Sequence, residues 1–143
     1  MLTQITYMSR ATQPVSRTDF DQLLDHARRR NEADGITGLL ASDGVSFIQA
    51  FEGPLDAVRA CMQRIAADKR HVLVANVSEI AINGRKFRSF SMEGLLPGTS
   101  DAPLFVEQMK QAVAGVQSAS LQALFIGFAV LGRAKTPAYD RGW

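Results

Sequence analysis

GITGLLASDGVSFIQAFEG, residues 35–53, is the stretch that decides the fold, because it has the composition of a buried β-hairpin. Ile36 to Ala41 is an apolar run, Ser42-Asp43-Gly44 has turn composition, and Val45 to Phe51 alternates with a period of two. Alternation places Gln49 on one face with two phenylalanines, Phe47 and Phe51. A buried amide with an unmet donor or acceptor costs about 1–3 kcal/mol. Either neighbouring side chains or a bound polar ring must therefore satisfy Gln49.

Composition restricts the class of protein. The 143 residues are 46% hydrophobic and 21% charged, which is typical of one globular domain. A net charge of +2 is too small for a nucleic-acid-binding field, and the basic run Arg28-Arg29-Arg30 has no interleaved aromatic platform. Cys61 is the single cysteine, and the two histidines, His26 (interpreted as an exposed helical residue) and His71, are not at metal-ligand spacing. We therefore expect neither a disulfide nor a metal.

The sequence carries no targeting or membrane signal. Met1 to Met8 has the pattern of a strand with polar members rather than that of a signal peptide. The longest apolar stretch, Leu121 to Leu131, is shorter than the ~20 residues that a membrane span needs. We expect a cytoplasmic protein that binds neither nucleic acid nor membranes.

Periodicity and turn signals give the order of the other elements. Besides the hairpin, strands are predicted at Leu2–Ser9, Val72–Ile82 and Phe87–Leu96. The predicted helices run from an N-cap at Thr18-Asp19 to Gly35, from Gly53-Pro54 through Ile65, over Leu104–Val116 and over Ser118–Arg133, before a loose tail from Ala134 to Trp143.

This order predicts an α+β fold, a ferredoxin-like βαββαβ sandwich with a fifth strand. The first two helices lie on one face of the sheet, and the two C-terminal helices are expected to cover the other. We divide the chain into a domain of residues 1–96 and a C-terminal extension of residues 97–143, made of two helices and the tail.

Three polar residues interrupt the apolar pattern of three different elements: Tyr7, Asn31 and Gln49. Strands one and three are central neighbours in a ferredoxin-like sheet, so Tyr7 and Gln49 can meet across them, and Asn31 approaches from the first helix. Converging polar groups in an apolar cleft are typical of a small-molecule site. A packed tyrosine ring, a capping asparagine and a structural glutamine are the ordinary alternatives, and the pattern leaves them open.

The other polar positions have ordinary interpretations too. The run Asp68-Lys69-Arg70-His71 is typical of a solvated loop, and Arg28 to Arg30 of an exposed helix face. Met92 is interpreted as core, Cys61 as a small helix-packing residue, and Glu52 as a partner of a helix dipole.

Enzyme constellations are mostly missing. There is no Ser/His/Asp set, and Gly35-Ile36-Thr37-Gly38 is too short for a phosphate-cradling loop and lacks the following lysine. We therefore expect no enzymatic activity.

Several of these residues together match a known family. The pattern consists of Tyr7, Asn31, the sequence GITG followed by Phe-x-Gln-x-x-Glu-Gly at Phe47–Gly53, Asp-x-Arg-His at Asp68–His71, and Met92 in strand five. It resembles the BLUF domain, a blue-light sensor that uses FAD, over roughly residues 1–95.

The resemblance implies a flavin bound non-covalently between the first two helices, above the sheet. The residues that would contact it are Leu23, Arg30, Asn31, Phe47, Gln49, Arg64, Asp68, Arg70 and His71. Asn31 would bond the pyrimidine edge, Leu23 and Phe47 would pack the ring, and Arg30 would lie at its flank. The last four would surround the ring edge, the ribityl chain and the phosphate side. FAD is expected, although FMN or riboflavin would make the same ring contacts.

The resemblance also implies photochemical roles. Tyr7 would donate an electron and a proton to the excited flavin, and Gln49 would relay the proton and end with its amide rotated or tautomerised. Met92 would sense that change from strand five. An amide carries a donor and an acceptor on one short group, so a flip inverts a local network without moving the backbone.

One residue departs from the family pattern. Many members carry tryptophan two residues before the methionine, where this chain has Phe90. Phenylalanine donates no hydrogen bond, so output is expected to run more through Met92. The resemblance suggests a sensor that acts on an unidentified partner protein or through its own oligomer, by way of the C-terminal helices.

Two alternatives on the same fold stay open. One is a small acylphosphatase-like enzyme that would use Arg10 or Arg30 with Asn31. The other is a flavin-free interaction domain.

Overall fold

The computed structural model describes residues 2–73, 78–87, 92–96 and 102–142, with backbone alone for residue 93, residues 102–103 and residues 132–142. Over these residues the elements are β1 Leu2–Ala11, α1 Arg17–Asp34, β2 Thr37–Ser42, β3 Ser46–Pro54, α2 Leu55–Ala67, β4 His71–Leu73, β5 Ser78–Ile82, β6 Glu93–Leu95, α3 Ala102–Val113 and α4 Ala119–Gly142. The sheet order is β4-β1-β3-β2-β6, and β5 also pairs with β1. The pairing of β2 with β6 is parallel.

The predicted hairpin is confirmed, and it provides central strands of the sheet. β2 and β3 pair antiparallel, and β3 lies between β2 and β1. In the turn, Asp43 Oδ1 accepts hydrogen bonds from the backbone N–H groups of Val45 and Ser46, at 2.9 and 2.7 Å. Gly44 has a φ of 92°, a left-handed conformation that favours glycine. The turn chemistry read from the sequence therefore closes the hairpin.

Helices cover the sheet on both faces, which confirms the predicted ferredoxin-like sandwich. Under α1 and α2, the first face buries Ile5, Phe20, Leu24, Ile36, Leu40, Phe51 and Val58. The second face packs on α3 and α4 and buries Leu39, Ala41, Ile48, Ala50, Phe105, Met109, Phe125 and Phe128. Because successive side chains of β3 point to opposite faces, this strand contributes residues to both cores. The C-terminal helices cover the second core, as expected.

The start of α1 differs from the prediction and its end does not. Ser16, not Thr18-Asp19, is the N-cap, and its Oγ accepts from the N–H of Asp19 at 3.0 Å. Serine is a strong N-cap residue, and Asp19 then lies in the first turn, where the helix dipole favours acid. The helix ends at Gly35, which has a φ of 71°.

The described parts of the predicted fourth strand, Val72–Ile82, are extended and lie along one edge of β1. β4 pairs with Ser9–Ala11, and β5 pairs with Leu2–Thr6. The residue numbers of paired positions sum to 82 in β4 and to 84 in β5, so the register shifts by two residues between the two strands. Residues 74–77 lie outside the described residues.

Of the predicted fifth strand, Phe87–Leu96, the structure describes Phe87 and residues 92–96, and within them Glu93–Leu95 forms β6. Residues 88–91, which include Phe90, lie outside the described residues. Phe87 is not part of a strand, because its N–H donates to the carboxylate of Glu52 and its ring is buried in the core under α3 and α4.

The last helix is longer than predicted. α4 runs to Gly142, so the loose tail expected from Ala134 is wrong for the backbone. Pro137 lies inside this extension and disfavours a helix interior, so helix propensity does not explain the added turns, although extending an existing helix costs less than starting one. Among the described residues, no helix is both long and apolar enough to cross a membrane.

Candidate functional site

A cavity of about 470 Å³ lies between α1 and α2 on the first face of the sheet. Tyr7 lines the cavity, and so do all nine residues predicted to contact a flavin. The nine are Leu23, Arg30, Asn31, Phe47, Gln49, Arg64, Asp68, Arg70 and His71. Six further residues complete the wall: His26, Ala27, Leu40, Cys61, Ile65 and Ala67. The volume lies within the range of small-molecule sites, ~300–1,000 Å³.

The floor of the cavity carries a chain of three side chains. Tyr7 and Gln49 are opposite residues of β1 and β3, and the Tyr7 hydroxyl donates to Gln49 Oε1 at 2.5 Å. Gln49 Nε2 in turn donates to Met92 Sδ at 3.5 Å. All three are buried, with exposed fractions of 4%, 4% and 1%. The meeting of Tyr7 and Gln49 across the strands is thus confirmed, and Met92 joins them from the residue before β6.

The environment of Tyr7 keeps its hydroxyl protonated. Burial raises the pKa of the phenol well above its ordinary value, and the nearby Cys61 and Asp68 raise it further. The hydroxyl is therefore a hydrogen-bond donor at neutral pH, which suits the acceptor that Gln49 presents.

Asn31 lies at the end of α1, and its side chain faces the cavity. Its backbone carbonyl accepts from the N–H of Ile36 where α1 ends, at 2.9 Å. Its side chain is buried and lines the cavity, where Oδ1 accepts a weak bond from Cys61 Sγ at 3.9 Å. Burial raises the pKa of the Cys61 thiol, so the sulfur keeps its proton and can donate.

His71 lines the cavity through its ring, because protein groups already engage both of its nitrogens. Nε2 lies 2.6 Å from the carbonyl oxygen of Ile65, and Nδ1 lies 2.7 Å from Ser9 Oγ. A carbonyl only accepts, so Nε2 carries a proton, and in the neutral ring Nδ1 accepts from the serine. The ring stands edge-on to Tyr7 and Phe47, with centroids 6.1 and 6.2 Å away.

The rim of the cavity is charged. Arg70 binds the Asp68 carboxylate through two guanidinium nitrogens, and this bonding lowers the pKa of Asp68. Arg64 lies 3.5 Å from Asp34. Arg30 also lines the cavity, and no ion pair involves it among the residues that the structure describes. The rim therefore carries an excess of positive charge on the α1 side.

Sequence reasoning missed two buried or partly buried contacts, one on the second face of the sheet and one beside Met92. Glu52 is fully buried, and its Oε1 accepts from the backbone N–H groups of Lys86 and Phe87 at 2.6 and 2.7 Å. The interpretation of Glu52 as a helix-dipole partner was wrong. The signal was present in the strand period, which places Glu52 on the apolar face of β3 with Ile48 and Ala50.

The second missed contact belongs to the triple arginine. Arg28 Nε donates to the backbone carbonyl of Met92 at 2.7 Å. Arg28, Arg29 and Arg30 are all exposed, which confirms the predicted exposed helix face. Two of them also have contacts that the sequence did not show, since Arg28 bonds Met92 and Arg30 lines the cavity. Arg29 pairs with Asp25 of the same helix.

Within the described ranges, no group of three or more histidine, cysteine, aspartate or glutamate side chains is placed to hold a metal ion.

Comparisons with known proteins agree with this geometry. The family model described as sensors of blue-light using FAD (BLUF) matches residues 2–93. Photoactivated adenylate cyclase subunit beta of Euglena gracilis is 41% identical over 88 residues, which cover 62% of this chain and 10% of that protein. The chain thus spans about a tenth of the length of this relative.

Two solved structures are similar over most of the chain. BlrB, a BLUF protein solved in its dark state, is 27% identical with a TM-score of 0.67, and the match covers 94% of this chain and 96% of that one. Klebsiella pneumoniae BlrP1, solved as a manganese and cyclic diGMP complex, is 25% identical with a TM-score of 0.73, covering 91% of this chain and 33% of that one. The chain belongs to the BLUF family of flavin-based blue-light sensors.

Proposed function

We propose that this protein is a blue-light photoreceptor in which Tyr7 and Gln49 relay charge beneath a flavin held between α1 and α2. The observation that carries the proposal is the buried chain from the Tyr7 hydroxyl through Gln49 to Met92 at the floor of the cavity. The cavity suits a flavin because apolar walls hold a flat ring, and the amides of Asn31 and Gln49 match its alternating carbonyl and N–H edge.

The relay begins at Tyr7. When bound, the flavin supplies absorption of blue light and an excited ring that takes up an electron. Tyr7 would be the donor of that electron, and its hydroxyl proton would pass to Gln49 Oε1, which accepts the hydrogen bond from that hydroxyl, while Gln49 would release a proton from Nε2 to the ring. The electron and a proton would return to Tyr7 after the Gln49 side chain has rotated, so no net oxidation of the protein remains. Burial makes a charged side chain costly at this position, so the loss of the electron and the loss of the proton are coupled.

Gln49 converts this charge movement into a change of contacts. Rotation of its amide exchanges Oε1 and Nε2, so the oxygen faces Met92 Sδ in place of the N–H group. A thioether sulfur accepts a weak hydrogen bond and donates none, so the 3.5 Å contact between Gln49 and Met92 is lost. Met92 is therefore the side chain that registers the rotated amide.

The route outward runs through β6. Met92 and Leu96 are buried in the core beneath α1 and α2, whereas Leu95 packs against the core beneath α3 and α4. A shift of this short strand thus reaches both layers. We propose that it changes how α3 and α4 bind an unidentified partner protein or a second copy of the chain, and that the chain itself catalyses no reaction.

Several finer points belong to the same proposal. FAD is the proposed flavin, with FMN as the alternative that makes the same ring contacts. Membership of the BLUF family supports a sensory function for this chain. The photoactivated adenylate cyclase of Euglena gracilis is an enzyme, but the segment similar to this chain forms only 10% of that protein. A cytoplasmic location and the domain division at residue 97 stay predictions.

Absorption spectroscopy of matched variants tests the relay. Tyr7→Phe keeps the ring and removes the hydroxyl, and Gln49→Leu keeps the shape and removes the amide. Both should still bind flavin and should lose the reversible red shift that blue light produces in the wild type. Gln63→Leu, on the exposed face of α2, is the control and should keep it. A full shift in Gln49→Leu would contradict the relay.

Hydrogen exchange tests the route. Light should change the protection of residues 92–96 and 102–131. Identical protection in darkness and under illumination would remove β6 and the C-terminal helices from the signalling route.

A further inference from the structure

The segment Met92–Leu96, which contains β6, is held on α1 by three contacts outside the strand ladder. Arg28 Nε donates to the carbonyl oxygen of Met92 at 2.7 Å, and Arg17 Nη2 donates to that of Leu96 at 2.5 Å. Between them, Gly94 lies so close to Leu24 that a Cβ on the glycine would be 2.2 Å from Leu24 Cδ2. The two hydrogen bonds thus fall at the two ends of the segment, and the close contact falls in its middle.

The spacing of these residues fits the strand. Arg17, Leu24 and Arg28 are seven and four residues apart, so they lie on one face of α1. The eleven residues from Arg17 to Arg28 rise ~16 Å along the helix, and the four steps from Met92 to Leu96 extend ~13 Å. The helix and the strand run in opposite directions, so each arginine reaches the nearer end.

β6 depends on such outside support. Among the residues that the structure describes, its ladder is three residues long and pairs with β2, and β6 ends the strand order of the sheet. Short edge strands have few ladder bonds to hold them. Guanidinium groups that bind the flanking carbonyls therefore supply a large share of the polar contacts that fix the position of Met92.

We propose that Arg28 and Arg17 form a latch on β6, and that this latch sets how readily Met92 withdraws from Gln49. The proposal rests on the proposed function, because it concerns regulation of the contact that the relay changes. Arg28 is a positioning residue: it bonds the backbone of Met92, whose sulfur accepts from Gln49 Nε2 at 3.5 Å. The latch favours the arrangement in which that contact is made, so its loss should prolong the lit state.

The neighbouring arginine provides a matched control. Arg29 pairs with Asp25 at 2.9 Å on the exposed face of α1, and both side chains are largely exposed. Arg28→Met removes the donor while it keeps an unbranched stem and good helix propensity. Arg29→Met makes the same change one residue away, and Arg28→Lys returns a charged donor.

Two measurements on the full flavin-loaded chain test the latch. In darkness, amide exchange at Gly94 and Leu95 should be about fivefold faster in Arg28→Met, the change in population expected when one hydrogen bond is lost. After a blue pulse, the lit state of Arg28→Met should decay at least about twofold more slowly. This effect is smaller because only part of the free energy of the lost hydrogen bond changes the barrier to decay. Arg29→Met should match the wild type in both, and Arg28→Lys should recover part of each.

Each result has a defined meaning. Unchanged exchange in Arg28→Met overturns the latch. Faster exchange with unchanged decay also overturns it, since the bond would then be structural without regulating Met92. If the wild type shows no light-induced shift at all, the proposed function fails, and the latch as a regulator of Met92 fails with it. The exchange comparison then still shows whether the bond from Arg28 holds β6, which distinguishes the two failures.

Discussion

Replacing Glu52 by alanine should be severely destabilising, because this fully buried carboxylate ties the middle of the sheet to a distant segment. Its Oε1 accepts from the N–H groups of Lys86 and Phe87 at 2.6 and 2.7 Å, and its Oε2 accepts from Gln4 Nε2 at 3.3 Å. Alanine removes all of these acceptors and leaves two backbone donors without their partner. Phe87 would also lose the bond that holds its ring in the core beneath α3 and α4.

The magnitude follows from the two short bonds. A hydrogen bond to a charged group contributes about 1.5–3 kcal/mol, so the loss of both should lower the free energy of unfolding by about 3–6 kcal/mol. That is a large part of the ~5–15 kcal/mol that stabilises a typical domain. For a chain of 143 residues, the midpoint of thermal unfolding should fall by about 10–15 °C.

Two control variants separate the carboxylate from general effects of mutation. Glu52→Gln keeps one oxygen for the two N–H groups, and the amide of Gln4 can turn so that its oxygen faces the new donor. It should therefore cost only about 1 kcal/mol, the value of an ordinary hydrogen bond. Glu107→Ala removes an exposed carboxylate that lies 3.4 Å from Lys110, and it should change stability by less than about 0.5 kcal/mol.

Urea unfolding of the three variants provides the measurement, with stability differences taken from midpoints at an unchanged slope. Glu52→Ala within about 1 kcal/mol of the wild type would refute the reasoning, because the two bonds would then carry little energy. Equal losses for Glu52→Ala and Glu52→Gln would refute it as well, since the loss could not be assigned to the missing acceptor.

Two further predictions concern the rim of the cavity. Arg30→Ala should weaken FMN binding about tenfold and riboflavin binding less than about twofold, because the guanidinium adds roughly one charge-assisted bond to the phosphate that only FMN carries. Titration calorimetry measures both affinities, with Arg29→Ala as the control. Equal losses for the two ligands would contradict this prediction. Asp68→Asn should cost up to about 1 kcal/mol at pH 7. Arg70 lowers the pKa of Asp68 in the folded state. The contribution of Asp68 to stability is therefore present above the unfolded pKa of about 4 and is lost as pH falls through the lowered pKa. Urea unfolding should show a smaller stability difference between wild type and Asp68→Asn at about pH 3 than at about pH 7, and a constant difference would contradict this prediction.

The sequence predicted the central part of the site because its signals are local. The alternation of β3 fixes the face of Gln49, and the βαββαβ order makes β1 its neighbour, so Tyr7 had to lie close by. Asn31 follows from the row of α1 residues that faces the sheet. The family resemblance added Arg64, Asp68, Arg70 and His71, which come from a helix end and a polar loop and show no periodicity that points to a cavity.

The rest depends on contacts between distant parts of the chain. Glu52 receives its partners from residues 86–87, and Arg28 contacts Met92 across 64 positions. The strand period indicates that Glu52 is buried, but no local pattern identifies the partner of either residue. The C-terminal end of α4 was missed for the opposite reason. The tail contains Pro137 and Gly142, two poor helix formers, so its local signal favoured a loose tail and the extension of α4 has no explanation in helix propensity.

The most direct test of the flavin photoreceptor is an absorption spectrum of the purified full chain, recorded in darkness and just after a blue pulse. A yellow protein whose flavin band shifts slightly to the red and returns in darkness is the predicted result. A protein that stays colourless after FAD is added would contradict flavin binding and return Gln49 to the role of a structural amide. A yellow protein with an unchanged band would contradict the relay from Tyr7 through Gln49.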